Sequence, residues 1–495
     1  MRDLKRSRAK RDPERTPEPF GDETPQRVMG PDSARAFVVQ QHAARRMHWD
    51  LRLEIGGVLV SWAVPKGPSL DSSQRRLAVQ TEDHPLEYAD FEGVIPADNY
   101  GAGAMIVWDR GFYRSVDGTA PSAGLESGKL DLALEGHKLR GRFALVRTRD
   151  ADGRNWLLLY KGAAPETGAE PIESEPYSVL SGLTVEELRE GVSRDRPVAA
   201  AARRASAPQA VLDDASLRPM LAEKEDEPFS RPGWLFELKY DGVRALVARE
   251  KSGDVRIFTR TGRDRTSVYP EIAHATAHLP LSEFVIDGEL VALDARGRSS
   301  FERLQRRFTQ TDPDAIARAR AEFPVVLYAF DCLHAAGHDL KGLPLRERKA
   351  VLARFAPRSG VVRFADHVEG DGEALFAAAR EHGLEGVVAK QADSAYEMGR
   401  RSPRWLKVKV PRSGVLAIVG FTAGRGSRSR LGSLLLAWHR DGEFVYAGNA
   451  GSGLSDATID ALLRKLGPAQ IAEPPFRGAP EARGTRYVQP ELACE

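Results

Sequence analysis

Between about Gly162 and Asp214 the short apolar runs that fill the rest of this 495-residue chain give way to a stretch rich in Ala, Pro, Glu and Arg, including AAPETGAEPIESEPYSV and RPVAAAARRASAPQA. A segment with so little to bury does not hold a core together. It reads as a linker, and the parts on either side must each fold around their own core. Inside it Thr184 and Glu187 have the spacing of a capping box for one short helix, which either docks on a neighbour or stays solvated. At roughly 150 residues per domain, the length allows about three compact units.

Upstream of the break, short alternating runs (FVVQQHA, HWDLRLEI, VLVSWAV, RLAVQTE, MIVWD, LRGRFALVR, NWLLLYK) are punctuated by Gly, Pro and Asp. That pattern predicts a small antiparallel β domain. Downstream, strands alternate with helical stretches such as SSFERLQRRF and EALFAAAREHG up to about Pro411, which predicts a mixed α+β domain. From Ser413 onward VLAIVGF, GSLLLAWH and FVYAGNAG return to β, followed by a helix near Ser455 to Leu466.

Bulk properties exclude several classes. The 72 basic and 70 acidic residues leave a net charge of +2, so any nucleic-acid surface must be local. Cys332 and Cys494 stand far apart, with no CxxC or Cys/His knuckle. Neither a disulfide framework nor a zinc finger can be built from them, and a reducing cytosol fits best. The first fifteen residues carry seven Lys/Arg and no apolar run, and Val415 to Val419 and Leu434 to Trp438 are too short to span a bilayer. The expectation is a soluble, cytoplasmic protein.

In the run His48 to Ile55, strand periodicity puts His48, Asp50, Arg52 and Glu54 on one face and Trp49, Leu51, Leu53 and Ile55 on the other. A solvated outer face is the ordinary reading of such a strand. This face, however, begins with His and Asp, and Gln40, His42, Lys66, Arg76, His84 and Tyr88 are near in sequence. Imidazoles with one carboxylate suit Mn²⁺ or Zn²⁺, while Arg and Lys suit phosphate oxygens. Together they describe a metal-assisted phosphoester site.

A second set follows the break. Glu237-Leu238-Lys239-Tyr240-Asp241-Gly242-Val243-Arg244 alternates apolar and charged residues, and TRTG (Thr259 to Gly262), FVIDGE (Phe284 to Glu289), VVLYAFDCL (Val325 to Leu333), LEGVVAK (Leu384 to Lys390) and WLKVKV (Trp405 to Val410) follow in order. A lone KxDG carries little information. Several strands each aiming one or two charges at one cleft carry much more. A neutral lysine amine can attack the α-phosphate of a nucleoside triphosphate, given carboxylates for a metal, lysines for phosphates and an aromatic for the base.

QQHAARRMHWDLRLE, SWAVPKGP, RRLAVQTEDHPLEY and NYGAGAMIVWDRG resemble the phosphoesterase module of the bacterial multifunctional ATP-dependent DNA ligase D family, and the second set resembles the ATP-dependent ligase module of the same family. The resemblance implies a multidomain protein. Its parts are a small β-barrel-like 3′-phosphoesterase domain over 1–162, a linker over 163–213, an α+β nucleotidyltransferase domain over 214–411 and a C-terminal OB-fold β-barrel over 412–495. It further implies manganese-favouring trimming of a 3′-phosphate or terminal ribonucleotide. His42, His48 and Asp50 would hold the metal, with His84 beside it as ligand or acid. Gln40, Arg52, Lys66, Arg76 and Tyr88 would engage phosphate or complete the site, and Arg11, Asp12 and Glu18, near the family-like TPEP, would fold over it.

In the ligase half the resemblance implies Lys239 as the nucleophile adenylated by ATP, with Mg or Mn held around Asp241 and Glu385. Glu237 belongs to the nucleotide site, Glu289 to ribose or metal, Arg244 and Arg260 to ribose and phosphate, Phe330 to adenine, and Lys407 and Lys409 to the α-phosphate. Arg425, Arg428 and Arg430 are candidates for DNA-backbone contacts. The implied partners are DNA ends and nicks and the end-binding protein Ku, for a monomer associated with the nucleoid. No polymerase domain fits in this length. Family ligases continue to a final basic motif, whereas this sequence stops at Cys494-Glu495, so a second expectation is strong phosphoesterase activity beside poor self-adenylation. An RNA-capping guanylyltransferase shares the lysine motif, but a fused phosphoesterase module argues against it; a non-catalytic end-binding protein is the third reading.

Overall fold

The structure, a computed structural model, describes all residues except 1–3, 5–7, 9, 11–14, 21–34, 150–151, 164–169, 215, 295–296, 412–413, 424–430, 441, 452–453, 478–483 and 495. Arg11, Asp12, Arg425, Arg428 and Arg430 therefore lie outside the described residues.

The alternating runs of the first part become β1 (Arg35–Ala43), β2 (Met47–Ile55), β3 (Val58–Val64), β4 (Arg76–Gln80), β5 (Gly93–Ile95), β6 (Gly103–Ser115), β7 (Lys129–Gly136), β8 (Arg140–Arg147) and β9 (Asn155–Tyr160). They pair in the order β1-β2-β3-β4-β9-β8-β7-β6, and β6 returns to β1, so eight strands close on themselves while β5 flanks the start of β6. Gly56 and Gly57 both have positive φ, which lets a two-residue turn join β2 to β3 with the twist of the strands. Trp62, Trp108, Trp156, Phe37, Leu53 and Phe143 fill the interior. The barrel is thus a packed core, as small barrels are, and its chemistry has to sit outside.

The stretch read as a linker is ordered where it is described. Helices Pro171–Ser174, Val185–Arg189 and Asp195–Arg204 form along it, and the Thr184 capping box is made in both directions. Ile172, Val185 and Leu188 pack on the barrel core, whereas Val179, Leu180, Val198 and Ala202 join Val38 and Val107 of the barrel in the core of the next domain. The correction has a physical reason. Average composition hid a few apolar residues spaced for docking, such as Val198 and Ala202 one helical turn apart. Val179 is fully buried; its N–H donates to Val107 O at 2.9 Å and its carbonyl accepts from Val361 N at 3.2 Å. Residues 1–410 accordingly form one compact unit, and a second begins at Pro411.

The α+β part holds two sheets. One has the order β10 (Leu221–Glu225), β20 (Arg401–Lys409), β19 (Gly386–Gln391), β11 (Trp234–Leu238) and β18 (Val368–Glu369). The other runs β13 (Val255–Thr259), β12 (Val243–Arg249), β14 (Phe284–Ala292), β15 (Val325–Ala335) and β16 (His338–Asp339), with β17 (Val362–Phe364) beside β15. The second unit is a five-stranded sheet in the order β23 (Glu443–Ala450), β22 (Ser433–Arg440), β21 (Leu416–Thr422), β25 (Thr485–Cys494) and β24 (Gln470–Ile471). Its helix Asp456–Leu466, expected from the sequence, is capped by Ser455, and the combination is that of an OB fold.

Candidate active sites

Pairing of β1 with β2 sets His42 opposite His48 and Gln40 opposite Asp50. Trp62, Leu51 and Leu53 occupy the barrel interior, so these polar residues stand on its outer face, beneath the 3-10 turn Leu86–Asp90. His42, His48 and Asp50 each offer one ligand atom, all within 4.8 Å of one another. His42 Nε2 lies 2.8 Å from Gly101 O, which can only accept, so Nε2 carries the proton and the Nδ1 lone pair faces Asp50 Oδ2 at 3.9 Å. Likewise His48 Nδ1 donates to Arg46 O at 3.0 Å, and Nε2 faces Asp50 Oδ1 at 3.7 Å. Burial depresses the His42 pKa against the pull of Asp50, which favours the neutral ligand form. Two imidazoles, each with one nitrogen bonded to a carbonyl and the other turned toward the same carboxylate, fit a divalent cation, and carbonyls of this kind are the usual orienting partners.

Around that centre Arg52 is the hub. It donates to Asp50 Oδ2 at 3.0 Å, Gln40 Oε1 at 2.7 Å and Ser61 Oγ at 2.9 Å, and lies 2.9 Å from His84 Nδ1. Gln40 in turn donates to Tyr88 O and Phe91 O. The Tyr88 hydroxyl donates to Glu18 at 2.6 Å, so Glu18 does fold over the site. Lys66 is exposed, and Arg76 lies 3.7 Å from Glu170. Ser61 is a participant the sequence reading missed; its position opposite Arg52 in the β2–β3 register is the signal that locates it.

In the α+β part the register across β11, β19 and β20 aligns Glu237 with Val388 and Lys407, and pairs Lys390 with Trp405. Lys239 lies just past the end of β11, where its N–H donates to Gly386 O at 2.9 Å. Its Nζ contacts Glu385 Oε2 at 2.7 Å, and Lys409 Nζ holds Oε1 at 3.0 Å. Lys407 has a depressed pKa, through burial first and then Arg401, Lys239, Lys409 and Arg260. Cations crowded in this way repel one another, and polyphosphate bound among them relieves the strain. Burial raises Glu289 to about 7, against Arg244 and Lys239. Asp241 is half-buried; its backbone N–H donates to Ser299, and its carboxylate makes no hydrogen bond among the described residues.

Two expected nucleotide contacts are engaged within the protein. Glu237 is buried, with one oxygen 2.7 Å from Lys349 and the other 2.6 Å from Lys390. Arg244 forms a two-pronged pair with Asp287, at 2.5 and 2.7 Å, and lies over Phe330 at 4.5 Å. Lys390 covers Phe330 at 3.9 Å and Trp405 at 4.3 Å. Lys349, Lys390 and Trp405 were missed from sequence. The alternation that sets Lys407 and Lys409 on one face also includes Trp405, so that residue was findable. Lys349, on a helix more than a hundred residues from Glu237 in sequence, carries no local signal. A cavity of about 160 Å³ opens beside Lys239, between Tyr240, Tyr328 and Ser299.

The DNA Ligase D 3′-phosphoesterase domain family matches residues 40–147, the ATP dependent DNA ligase domain family matches 219–409, and the ATP dependent DNA ligase C terminal region matches 427–495. The multifunctional non-homologous end joining protein LigD of Pseudomonas aeruginosa is 39% identical over 98% of this chain. The LigD DNA repair protein of Mycobacterium tuberculosis is 37% identical over 99%. The chain spans 57% of the length of each of these relatives. A solved ligase domain of the M. tuberculosis protein is 34% identical, covering 57% of this chain and 89% of that one with a TM-score of 0.36. With a phosphoesterase domain and an ATP-dependent ligase domain in one polypeptide, the chain belongs to the DNA ligase D family.

Proposed function

We propose that this chain heals and joins DNA ends, removing a 3′-phosphate or terminal ribonucleotide with its first domain and sealing the resulting 3′-hydroxyl to a 5′-phosphate with its second. The observation that carries the reading is the tautomer-locked His42/His48/Asp50 centre in the same chain as a lysine held between carboxylate and cations. Manganese, when bound at the first centre, supplies charge to the phosphoryl group and acidity to water. Arg52, fixed by Asp50, Gln40 and Ser61, presents its charge to the phosphate, and His84 stands ready to move a proton. In the second centre Lys239 gives its proton to Glu385 and attacks the α-phosphorus of ATP. The bond from the α-phosphorus to the bridging oxygen breaks, a P–N bond forms and pyrophosphate leaves, while Lys407 and Lys409 hold the α-phosphate and Arg260 lies at ribose and phosphate. Asp241 and Glu385 would hold magnesium or manganese, which would offset the charge on the phosphates, and Phe330 belongs to the adenine site. The partners are DNA ends and nicks together with Ku, for a cytoplasmic, nucleoid-associated monomer.

One substrate pair tests both halves. A nicked duplex ending in 3′-phosphate should be sealed by the wild-type chain with Mn²⁺ and ATP. Asp50→Ala should seal a 3′-hydroxyl nick yet lose 3′-phosphate release by about three orders of magnitude or more. Lys239→Ala should release phosphate and form no covalent adenylate from α-labelled ATP. Retained phosphate release in Asp50→Ala, or labelling of Lys239→Ala, overturns the corresponding half.

A further inference from the structure

Each histidine of the first centre is oriented by a carbonyl on an exposed loop. His48 donates to Arg46 O in the turn between β1 and β2, and His42 donates to Gly101 O in the loop leading to β6. The two loops touch. Gly103 has φ +141°, and a Cβ there would lie 2.2 Å from Ala43 O and 3.1 Å from Ala44 Cα. They form a continuous rim beside the centre. On it Arg45 and Arg46 are exposed, with no ion-pair partner among the described residues. Tyr100 is 53% exposed, and Lys10 Nζ sits 4.2 Å above its ring. Asn99 ties the loop down through a 3.0 Å bond from Nδ2 to Arg15 O. The floor holds a different kind of group. Gln40, His42, Asp50 and Arg52 are buried and bonded to one another or to backbone, so they can serve the scissile phosphate but cannot reach the rest of a strand.

Resting on the phosphoesterase reading above, we propose that this rim is the seat for the last nucleotides of the strand being trimmed, with Arg45 and Arg46 on the phosphate next inward from the scissile one and Tyr100 stacked on the neighbouring base. Successive phosphates on one strand repeat every ~3.4 Å of helix rise, so a strand with its end in the centre must cross the rim. Unpaired guanidiniums suit phosphate oxygens, and an exposed ring beside cations suits a base of any sequence. The preferred ligand is therefore a polynucleotide 3′ end rather than a free phosphate monoester.

The test has a binding arm read without metal and a kinetic arm. A 3′-phosphate oligonucleotide with 5-iodouracil at the penultimate position is irradiated with the full chain in chelator, and the linked peptide is mapped. Attachment at Tyr100 is expected; attachment outside the two loops overturns the seat, whether or not phosphate release is seen. In the kinetic arm Arg45→Gln with Arg46→Gln should raise KM for the oligonucleotide about tenfold, hold kcat within about twofold and flatten the dependence of log KM on log salt by about 1. The double Lys variant should restore most of that salt slope. A fall in kcat with unchanged KM means the arginines support the loop alone, and the proposal fails. A wild-type chain that links at Tyr100 but releases no phosphate overturns the phosphoesterase reading and leaves the strand seat standing.

Discussion

Glu237 shows how one buried charge can set the shape of a site. It is 3% exposed, and both of its oxygens are held by ammonium groups, Lys349 from a helix and Lys390 from β19. Lys349 also bonds Phe330 O at 3.2 Å and Ala365 O at 3.0 Å, so the carboxylate anchors the strand that carries Phe330. Burial drives the Glu237 carboxyl up, and the two lysines outweigh it and hold it below the usual range. Burial also brings Lys390 down to about 8 despite its partner. Removing one partner from a buried group of this kind typically costs about 3–5 kcal/mol, because the charges left behind stay desolvated. Glu237→Ala should therefore lose about that much stability in denaturant titration and form little adenylate with ATP. A loss of unfolding free energy below about 0.5 kcal/mol would show the pair to be dispensable.

Among elements, the segment between barrel and ligase domain does the most unexpected work. Leu180 and Val179 are fully buried, and Asp195 accepts from Ser282 Oγ at 2.6 Å and Ser282 N at 3.1 Å. Asp90, at the end of the turn carrying Tyr88, pairs with Arg110 of the barrel and lies 3.9 Å from His274 of the ligase domain. A solvated linker tolerates truncation of any side chain, whereas a docked one pays the cavity cost of a core residue. Leu180→Ala should destabilise the chain by about 3 kcal/mol, within the usual range for a buried leucine. No change in thermal midpoint would restore the linker reading.

At the scale of the whole molecule, covalent order and compactness divide the chain differently. Motif order separates a phosphoesterase domain from a ligase domain, while packing joins them into residues 1–410 and sets off the unit that begins at Pro411. Proteases act where backbone is exposed and few contacts must open. The first stable products of limited proteolysis should therefore divide near Pro411, leaving both candidate centres on one fragment. Early cleavage within 178–205 would mean that the seam opens readily.

The strands of both centres were legible in the sequence because side-chain alternation is a local property. His48 with Asp50, and Lys407 with Lys409, share faces whatever surrounds them. Motif order then identified Lys239, Glu385 and Glu289 as one chemical set. Local pattern could not say that Glu237 would be occupied by Lys349, that Arg76 would lie 3.7 Å from Glu170, or that an Ala- and Pro-rich stretch would dock through Ile172, Val179, Leu180, Val185, Leu188, Val198 and Ala202. Those outcomes depend on which residues distant in sequence arrive at the same place. Closure of β6 on β1 decided that the His42, His48 and Asp50 cluster lies on the outside of the barrel, since the interior was already filled by Trp62, Trp108 and Trp156. Sequence determined the candidate groups and their faces; tertiary packing decided which of them meet, because burial leaves a charged group stable only where another part of the chain brings it a partner.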